Sequence, residues 1–320
     1  MKVLIGTNGM GLEKGIPELQ QRFPDLTFVH CPARELTAGM IADADIYIGW
    51  LNREIYLAAK QLRWIQSPSS GVNYFLDIPE LVASDCLLTS ASGTHGAAVA
   101  DSAMAMILAF TRGIRQSVRH QQERVWRPGE IRPTLVELTG ATMGIIGCGA
   151  IGRALAKRAK AFDMCVNAVD LFPNNKPAYV DELWGLDRLD DLLRTSDYVV
   201  VMVPYTAQTA NMIGAREIGL MRPDAMLVVM SRGGIVDQDA LVQALQEKRI
   251  AAAALDVFKP EPLPADHPLW GLDNVLITAH IAGGTQHEGK YVLEIFTENL
   301  DRFLHNRLPL RNQVDKLAGF

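Results

Sequence analysis

The chain has 320 residues, 48% of them hydrophobic and 21% charged, with a formal net charge of −5. That length is too great for one ordinary core and the composition is that of a soluble globular protein, so two domains are expected, not a disordered or fibrous chain. The 31 basic residues form no block and the four cysteines (Cys31, Cys86, Cys148, Cys165) form no CxxC pair, which argues against nucleic acid as a partner, a disulfide frame or a zinc site, and for reduced thiols in a cytoplasmic protein.

The N-terminal MKVLIG holds too short an apolar run for a signal peptide. Lys2–Ile5 reads as a strand, and Gly6-Thr7-Asn8-Gly9-Met10-Gly11 follows it. These glycines imitate a dinucleotide turn, but their spacing is wrong, and the next strand, Leu26–Val29, ends in His30-Cys31 without an acid. Further strands are expected at Asp45–Ile48, Arg63–Gln66 and Cys86–Thr89, with helical stretches such as Arg53–Gln61 between them. Together they predict a smaller parallel α/β unit. Ser67-Pro68-Ser69-Ser70-Gly71-Val72 follows one of these strands. It is either a plain turn or a nest of backbone N–H groups suited to a carboxylate. Arg53, in Leu51-Asn52-Arg53, either faces an anionic substrate or starts a helix in solvent, and the second reading is favoured.

Ala97–Arg112 has helical periodicity, and its methionines read as core filler. Its most apolar part, Ala97–Phe110, is interrupted by Asp101 and too short to span a bilayer. His95, just before it, reads as a cap or interdomain residue, with ligand contact the alternative. Trp126 lies in an irregular polar stretch, Gln121–Glu137, of the kind that packs on a partner subunit.

Thr142–Gly152, TMGIIGCGAIG, organises the rest of the chain. The apolar run Met143–Ile146 reads as a buried strand, and Arg153–Phe162 as a helix; Gly147-x-Gly149-x-x-Gly152 lies between them. A dinucleotide diphosphate needs this order: Gly147 for the sharp turn, Gly149 for unobstructed approach, Gly152 for close packing of helix on strand. The helix N-terminus adds free N–H groups and partial positive charge. Cys165–Val169 reads as the next strand and Asp170 closes it, about 20 residues beyond the glycines, where an acid accepts from the adenosine ribose hydroxyls. An acid there repels a 2′-phosphate, so the expected cofactor is NAD and not NADP. Cys148, within the turn, reads as a small packed residue.

Beyond it, Tyr198–Val203, Met226–Met230, Ala251–Leu255 and Asn274–Thr278 are continuous apolar runs, as in a parallel sheet covered on both faces, and Gln238–Lys248 is one of the intervening helices. Six strands result, giving a doubly wound Rossmann sheet. Polar residues stand just past the strands: Asp170, Pro204-Tyr205-Thr206, Ser231-Arg232, Asp256 and Ala279-His280, with Glu261 in the loop after Asp256. Ligands of open α/β sheets bind outside the carboxyl ends of strands. His280 is the natural acid/base for a carbonyl or alcohol next to a nicotinamide, Glu261 the carboxylate that stabilises its imidazolium, Arg232 the fork for a substrate carboxylate, and Asp256 a residue for the nicotinamide end. No metal is expected, since the spacing of His280, His287 and these acids matches no common ligand set.

These motifs, GCGAIG at Gly147–Gly152, SRGGIVDQDAL at Ser231–Leu241, LDVFKPEPLP at Leu255–Pro264, TAHIAGG at Thr278–Gly284 and NQVDKLAGF at Asn312–Phe320, resemble those of the D-isomer-specific 2-hydroxyacid dehydrogenases nearly end to end. The resemblance implies catalytic Arg232, Glu261 and His280, with Asp256 at the nicotinamide. It implies substrate binding by Ser69, Ser70, Gly71, Arg232 and His280. Cofactor contacts would fall on Gly147, Gly149, Ala150, Ile151, Gly152, Asp170, Val203, Pro204, Met230, Ser231, Asp256 and His280.

It further implies two doubly wound parallel-sheet domains: a discontinuous, flavodoxin-like substrate domain of residues 1–96 and 286–320, and a Rossmann domain of residues 97–285. A homodimer through the cofactor domains and closure over the substrate are also implied. The expected reaction is NAD-linked reduction of a small 2-oxo acid to a D-2-hydroxy acid; the alternative is an NAD(H)-sensing corepressor-like binding protein of the same fold. Glu261, where formate dehydrogenases of the superfamily carry glutamine, disfavours formate oxidation. The chain departs from the family at Ala279, commonly proline, and at Asp101-Ser102, usually glutamate followed by histidine or tyrosine.

Overall fold

The computed structural model describes residues 1–319. They divide into two compact units, Met1–His95 with the segment from Thr285 onward, and Gly96–Gly284.

The first unit is built on five parallel strands: β1 (Lys2–Ile5), β2 (Thr27–His30), β3 (Ile46–Ile48), β4 (Trp64–Gln66) and β5 (Leu87–Thr89), in the order β2-β1-β3-β4-β5. β3 and β4 are buried at every position, as in a sheet covered on both faces. Four of the strands, β2 to β5, begin one residue later than the apolar pattern suggests. At β3 the reason is visible: Asp45 is occupied outside the ladder, its carboxylate accepting from Lys2 N at 2.7 Å and its carbonyl from Arg63 N at 2.8 Å. The returning helix Glu288–Leu304 completes this core, with Phe296 stacked on Trp64 at 5.1 Å between ring centroids and Phe303 beside it.

The second unit carries seven parallel strands: β6 (Thr142–Ile146), β7 (Cys165–Val169), β8 (Glu182–Trp184), β9 (Tyr198–Val201), β10 (Met226–Val229), β11 (Ala252–Leu255) and β12 (Val275–Ile277). Their order is β12-β11-β10-β9-β6-β7-β8. Six were expected; the seventh, β8, is a three-residue edge strand with no buried position, so it has no apolar run to betray it. The chain lays down β6, β7 and β8 outward in one direction, then returns with β9 on the other side of β6. The order therefore reverses at β6/β9, where open α/β sheets bind ligands.

The helix after β6 spans Ala150–Ala161, three residues longer at its start than its apolar pattern implied. Gly149 is its N-cap in an extended conformation, so the last glycine of the fingerprint is already helical. The stretch read as irregular, Gln121–Glu137, contains the end of the helix Ile114–Glu123, a single turn at Pro128–Ile131 and a 3₁₀ turn at Arg132–Thr134. Among the described residues no single helix is long and apolar enough to cross a membrane.

Candidate active site

At the end of β6 the three glycines differ in what they permit. Gly147 has φ +101°, a left-handed backbone that disfavours other residues, and a Cβ there would press on the Met202–Val203 backbone at 3.0 Å. A Cβ on Gly152 would lie 2.1 Å from the Gly147 carbonyl oxygen, so helix and turn meet backbone to backbone. Gly149 would meet nothing within 4 Å; the space over it is open. A diphosphate fits this cradle: an open glycine at the N-cap of a twelve-residue helix, at the switch point of a parallel sheet.

Asp170 closes the turn from the β7 side. Its carboxylate accepts from Cys148 N at 2.7 Å and from Phe172 N at 2.9 Å. Arg153 braces the other side, donating to Cys148 O at 3.0 Å and to Asn175 O at 2.9 Å. The Cys148 thiol is buried, and burial pushes its pKa up. Further along the same edge, Ser231 Oγ is buried and has no hydrogen-bond partner among the described residues. An orphaned hydroxyl at a strand end beside the cradle is a further point of fit for a polar ligand.

Past β11 and β12 the chain builds a carboxylate–imidazole pair. His280 Nδ1 lies 2.7 Å from Glu261 Oε2, and the other carboxylate oxygen accepts from Phe258 N at 2.8 Å. The carboxylate only accepts, so Nδ1 carries the hydrogen and Nε2 is left to exchange a proton with a ligand. His280 itself has φ +53°, an uncommon backbone for a non-glycine residue. Asp256 accounts for it. This side chain is 1% exposed. Its carbonyl accepts from His280 N at 2.8 Å, and its carboxylate from Thr278 Oγ1 at 2.5 Å, Ile281 N at 3.0 Å and Ala282 N at 3.1 Å. Three donors to one carboxylate leave acceptor capacity for a single further partner.

Arg232 stands just past β10, the strand next to β11, and donates through Nη1 to Ser231 O at 2.7 Å. The residue after it, Gly233, has no room for a side chain: a Cβ would sit 1.8 Å from the Phe258 carbonyl oxygen. The loops bearing Arg232 and Glu261 thus touch backbone to backbone. The strand order β12-β11-β10-β9-β6-β7 lines up Ala279-His280, Asp256, Ser231-Arg232, Val203-Pro204, the glycine turn and Asp170 along one sheet edge. Such an edge can hold a dinucleotide beside an anion and move one proton.

In the first unit, the Ser67–Val72 loop leaves β4. Ser69 O accepts from Ala91 N at 2.9 Å and from Ser67 Oγ at 3.1 Å. Ser70 Oγ lies 2.9 Å from Nδ1 of His95, a residue 9% exposed whose Nε2 lies 3.1 Å from Glu288 Oε1. Arg53 is held by Glu80, its Nε donating at 3.0 Å to both carboxylate oxygens; the guanidinium keeps Glu80 below the usual carboxylate range. Trp126 is 93% exposed. Sequence reasoning missed Glu288 and Gly233. Glu288 is 193 residues from its partner, beyond any spacing rule, whereas the doubled glycine of SRGG did mark a close backbone approach. Among the described residues no cluster of His, Cys, Asp and Glu could hold a metal ion.

A dinucleotide turn on the same sheet edge as a carboxylate-backed imidazole belongs to the class of NAD(P)-linked dehydrogenases, where the protein supplies the proton and the cofactor the hydride. The comparisons narrow that class. Residues 104–282 match the family model described as D-isomer specific 2-hydroxyacid dehydrogenase, NAD binding domain. The chain is 32% identical over 308 residues to the glyoxylate reductase of Korarchaeum cryptofilum (strain OPF8), covering 93% of this chain and 91% of that protein. It is 34% identical over 275 residues to the D-3-phosphoglycerate dehydrogenase of Methanocaldococcus jannaschii, covering 84% of this chain but 51% of that longer protein. The crystal structure of a D-isomer specific 2-hydroxyacid dehydrogenase family protein from Aeromonas salmonicida subsp. salmonicida A449 superposes with a TM-score of 0.87 at 27% identity, covering 98% of each chain. That from Xanthobacter autotrophicus Py2, in complex with NADPH and MES, gives 0.85 at 26%, covering 99% of each.

The chain belongs to the D-isomer-specific 2-hydroxyacid dehydrogenase family. It is an oxidoreductase with an NAD(P)-binding domain that transfers hydride between cofactor and 2-oxo or 2-hydroxy acids.

Proposed function

We propose that this enzyme reduces small 2-oxo acids such as glyoxylate to D-2-hydroxy acids with NADH, and that Arg232, Glu261 and His280 are its catalytic residues. The observation that carries the reading is the 2.7 Å His280–Glu261 pair on the sheet edge that bears the glycine turn. NADH, when bound, supplies the hydride. Gly147, Gly149, Ala150, Ile151 and Gly152 would hold its diphosphate, Asp170 its adenosine ribose, and Val203, Pro204, Met230, Ser231, Asp256 and His280 the remainder. Arg232 orients the substrate carboxylate and polarises the adjacent carbonyl, and in the first unit the Ser69-Ser70-Gly71 loop is the substrate-binding element. His280 Nε2 donates a proton to the carbonyl oxygen, and Glu261 stabilises the imidazolium that gives it.

Preference for NAD over NADP is supported by Asp170, whose negative charge would face a 2′-phosphate. A substrate with one anionic group is supported by the engagement of Arg53 with Glu80, which withdraws that cation from a second phosphate or carboxylate. A cytoplasmic homodimer through the NAD-binding units is supported by the four free thiols and by Trp126, bare to solvent in the single chain. The test is a panel of a dozen 2-oxo acids with NADH and NADPH in parallel. NADH-linked turnover that His280→Ala and Arg232→Ala abolish, while NADH still binds, is expected. Tight NADH binding without turnover of any 2-oxo acid would refute the assignment.

A further inference from the structure

We propose that His95, oriented by Glu288, is a positioning residue that locks the Ser69–Gly71 loop in the conformation that receives a substrate carboxylate. The proposal rests on the reading that this loop is the carboxylate site. It concerns a chain of three side chains, Glu288–His95–Ser70, that local sequence does not reveal.

The hydrogens along this chain can be assigned. An ionised carboxylate has no hydrogen to give, so the 3.1 Å contact of Glu288 Oε1 with His95 Nε2 places a hydrogen on Nε2. In the neutral ring Nδ1 is then an acceptor. Two hydroxyls face it, Ser70 Oγ at 2.9 Å and Thr94 Oγ1 at 2.8 Å, and each has Ala91 O as its other acceptor. Thr94 lies closer to that carbonyl, 2.8 Å against 3.2 Å for Ser70. Thr94 therefore donates to Ala91 O, and Ser70 donates to His95 Nδ1.

The consequence for the loop is direct. Ser69 is tied through its backbone to Ala91 and to the Ser67 hydroxyl, but Ser70 is held through its side chain. The N–H groups of Ser70 and Gly71 meet no protein acceptor among the described residues, and two adjacent unpaired N–H groups form the kind of nest that takes an anion. The Ser70–His95 bond tethers Ser70 at its side-chain tip, and the tether restrains the φ and ψ angles that set the direction of those N–H groups. The far end of the relay is rigid. Glu288 opens the seventeen-residue helix Glu288–Leu304, where an acid is favoured by the helix dipole, and Phe296 and Phe303 of that helix are fixed in the core.

The experiment combines steady-state kinetics with glyoxylate and NADH, NADH titration, binding of oxamate (a non-reacting 2-oxo acid analogue) to the NADH complex, and thermal unfolding. For His95→Ala the expected result is a glyoxylate KM and oxamate Kd raised about tenfold, the scale of one hydrogen bond, with kcat within about threefold and NADH affinity unmoved. His95→Asn should recover most of the loss, because its Oδ1 stands near the Nδ1 position and can accept from Ser70. The double variant with Ser70→Ala should be no worse than Ser70→Ala alone.

Unchanged KM and oxamate Kd in His95→Ala, fully multiplicative losses in the double variant, or no recovery in His95→Asn would each overturn the proposal. Nitrogen NMR of isotopically labelled histidine reads the relay without turnover. An Nε2-protonated His95 whose Nδ1 resonance moves in Ser70→Ala supports it, and an Nδ1-protonated ring or an unmoved resonance overturns it. A wild type inert toward every 2-oxo acid would refute the functional reading and leave the NMR arm to decide the relay.

Discussion

Gly233→Ala tests whether the catalytic loops depend on their backbone contact. Gly233 does not occupy the left-handed region, so alanine can adopt its backbone and the only obstacle is space. The new Cβ would lie 1.8 Å from the Phe258 carbonyl oxygen and 2.8 Å from Lys259 N. Ordinary contact begins at about 3.5 Å, so one loop must retreat by roughly 1.5 Å. Neither can move freely. Phe258 is buried at 6% exposure and its N–H holds Glu261, while Arg232 is joined directly to Gly233. A displacement of about 1 Å in a catalytic constellation costs on the order of 100-fold, and overpacking of this kind costs about 1–3 kcal/mol in stability. The assay is kcat/KM with glyoxylate and NADH, NADH affinity by fluorescence titration, and Tm. A fall of about 100-fold in kcat/KM is expected, with Tm lowered by several degrees and NADH affinity changed by no more than a few-fold. Wild-type kcat/KM at wild-type Tm would refute the reasoning, because it would mean that the two loops separate without disturbing Arg232 or Glu261.

Gly149→Ala and Gly152→Ala should part company: the first adds a methyl in open space and weakens NADH binding at unchanged Tm, whereas the second drives a Cβ to 2.1 Å from Gly147 O and lowers both; equal Tm losses would contradict the cradle. Glu261→Gln removes the charge beside the His280 ring, so kcat for reduction should fall by about 100-fold at unchanged NADH affinity, and an unmoved kcat would break the pairing. At pH 8 a thiol reagent should label exposed Cys165 first and leave Cys86 unmodified, because burial pushes the Cys86 pKa up to about 12; mass mapping of the labelled peptides checks this.

What the sequence makes legible follows from what each feature depends on. The glycine turn, Asp170 and the polar residues past β10, β11 and β12 could be read because a parallel strand is a continuous apolar run, and the residue ending it is marked by the change in polarity. β8 could not, because an edge strand half in solvent has no such run. The roles of Asp256 and Glu288 are hidden for another reason. Each acts on a partner brought close only by folding, and nothing in a single sequence says that an acid after one strand will clamp the turn after the next. Arg53, read as a helix-start residue in solvent, does open the helix Arg53–Ala58, but its partner, Glu80, arrives from another helix, where local spacing cannot see it.

Asp256 also links strain to function. A histidine at φ +53° costs on the order of 1 kcal/mol or more and persists only when its surroundings over-determine it. Here a buried aspartate supplies a carbonyl and a carboxylate to four donors spread over Thr278–Ala282. The left-handed turn brings the His280 ring to Glu261, which lies in the loop leaving the same strand, β11, as Asp256. One strand end thus carries both the residue that bends the histidine's backbone and the residue that holds its ring. His280 is thereby fixed by two acids with separate tasks: Asp256, which sets where the imidazole stands, and Glu261, which sets which nitrogen keeps its hydrogen. Only the second is in a position to affect proton transfer directly, so loss of the Asp256 carboxylate acts through geometry and loss of the Glu261 carboxylate through charge.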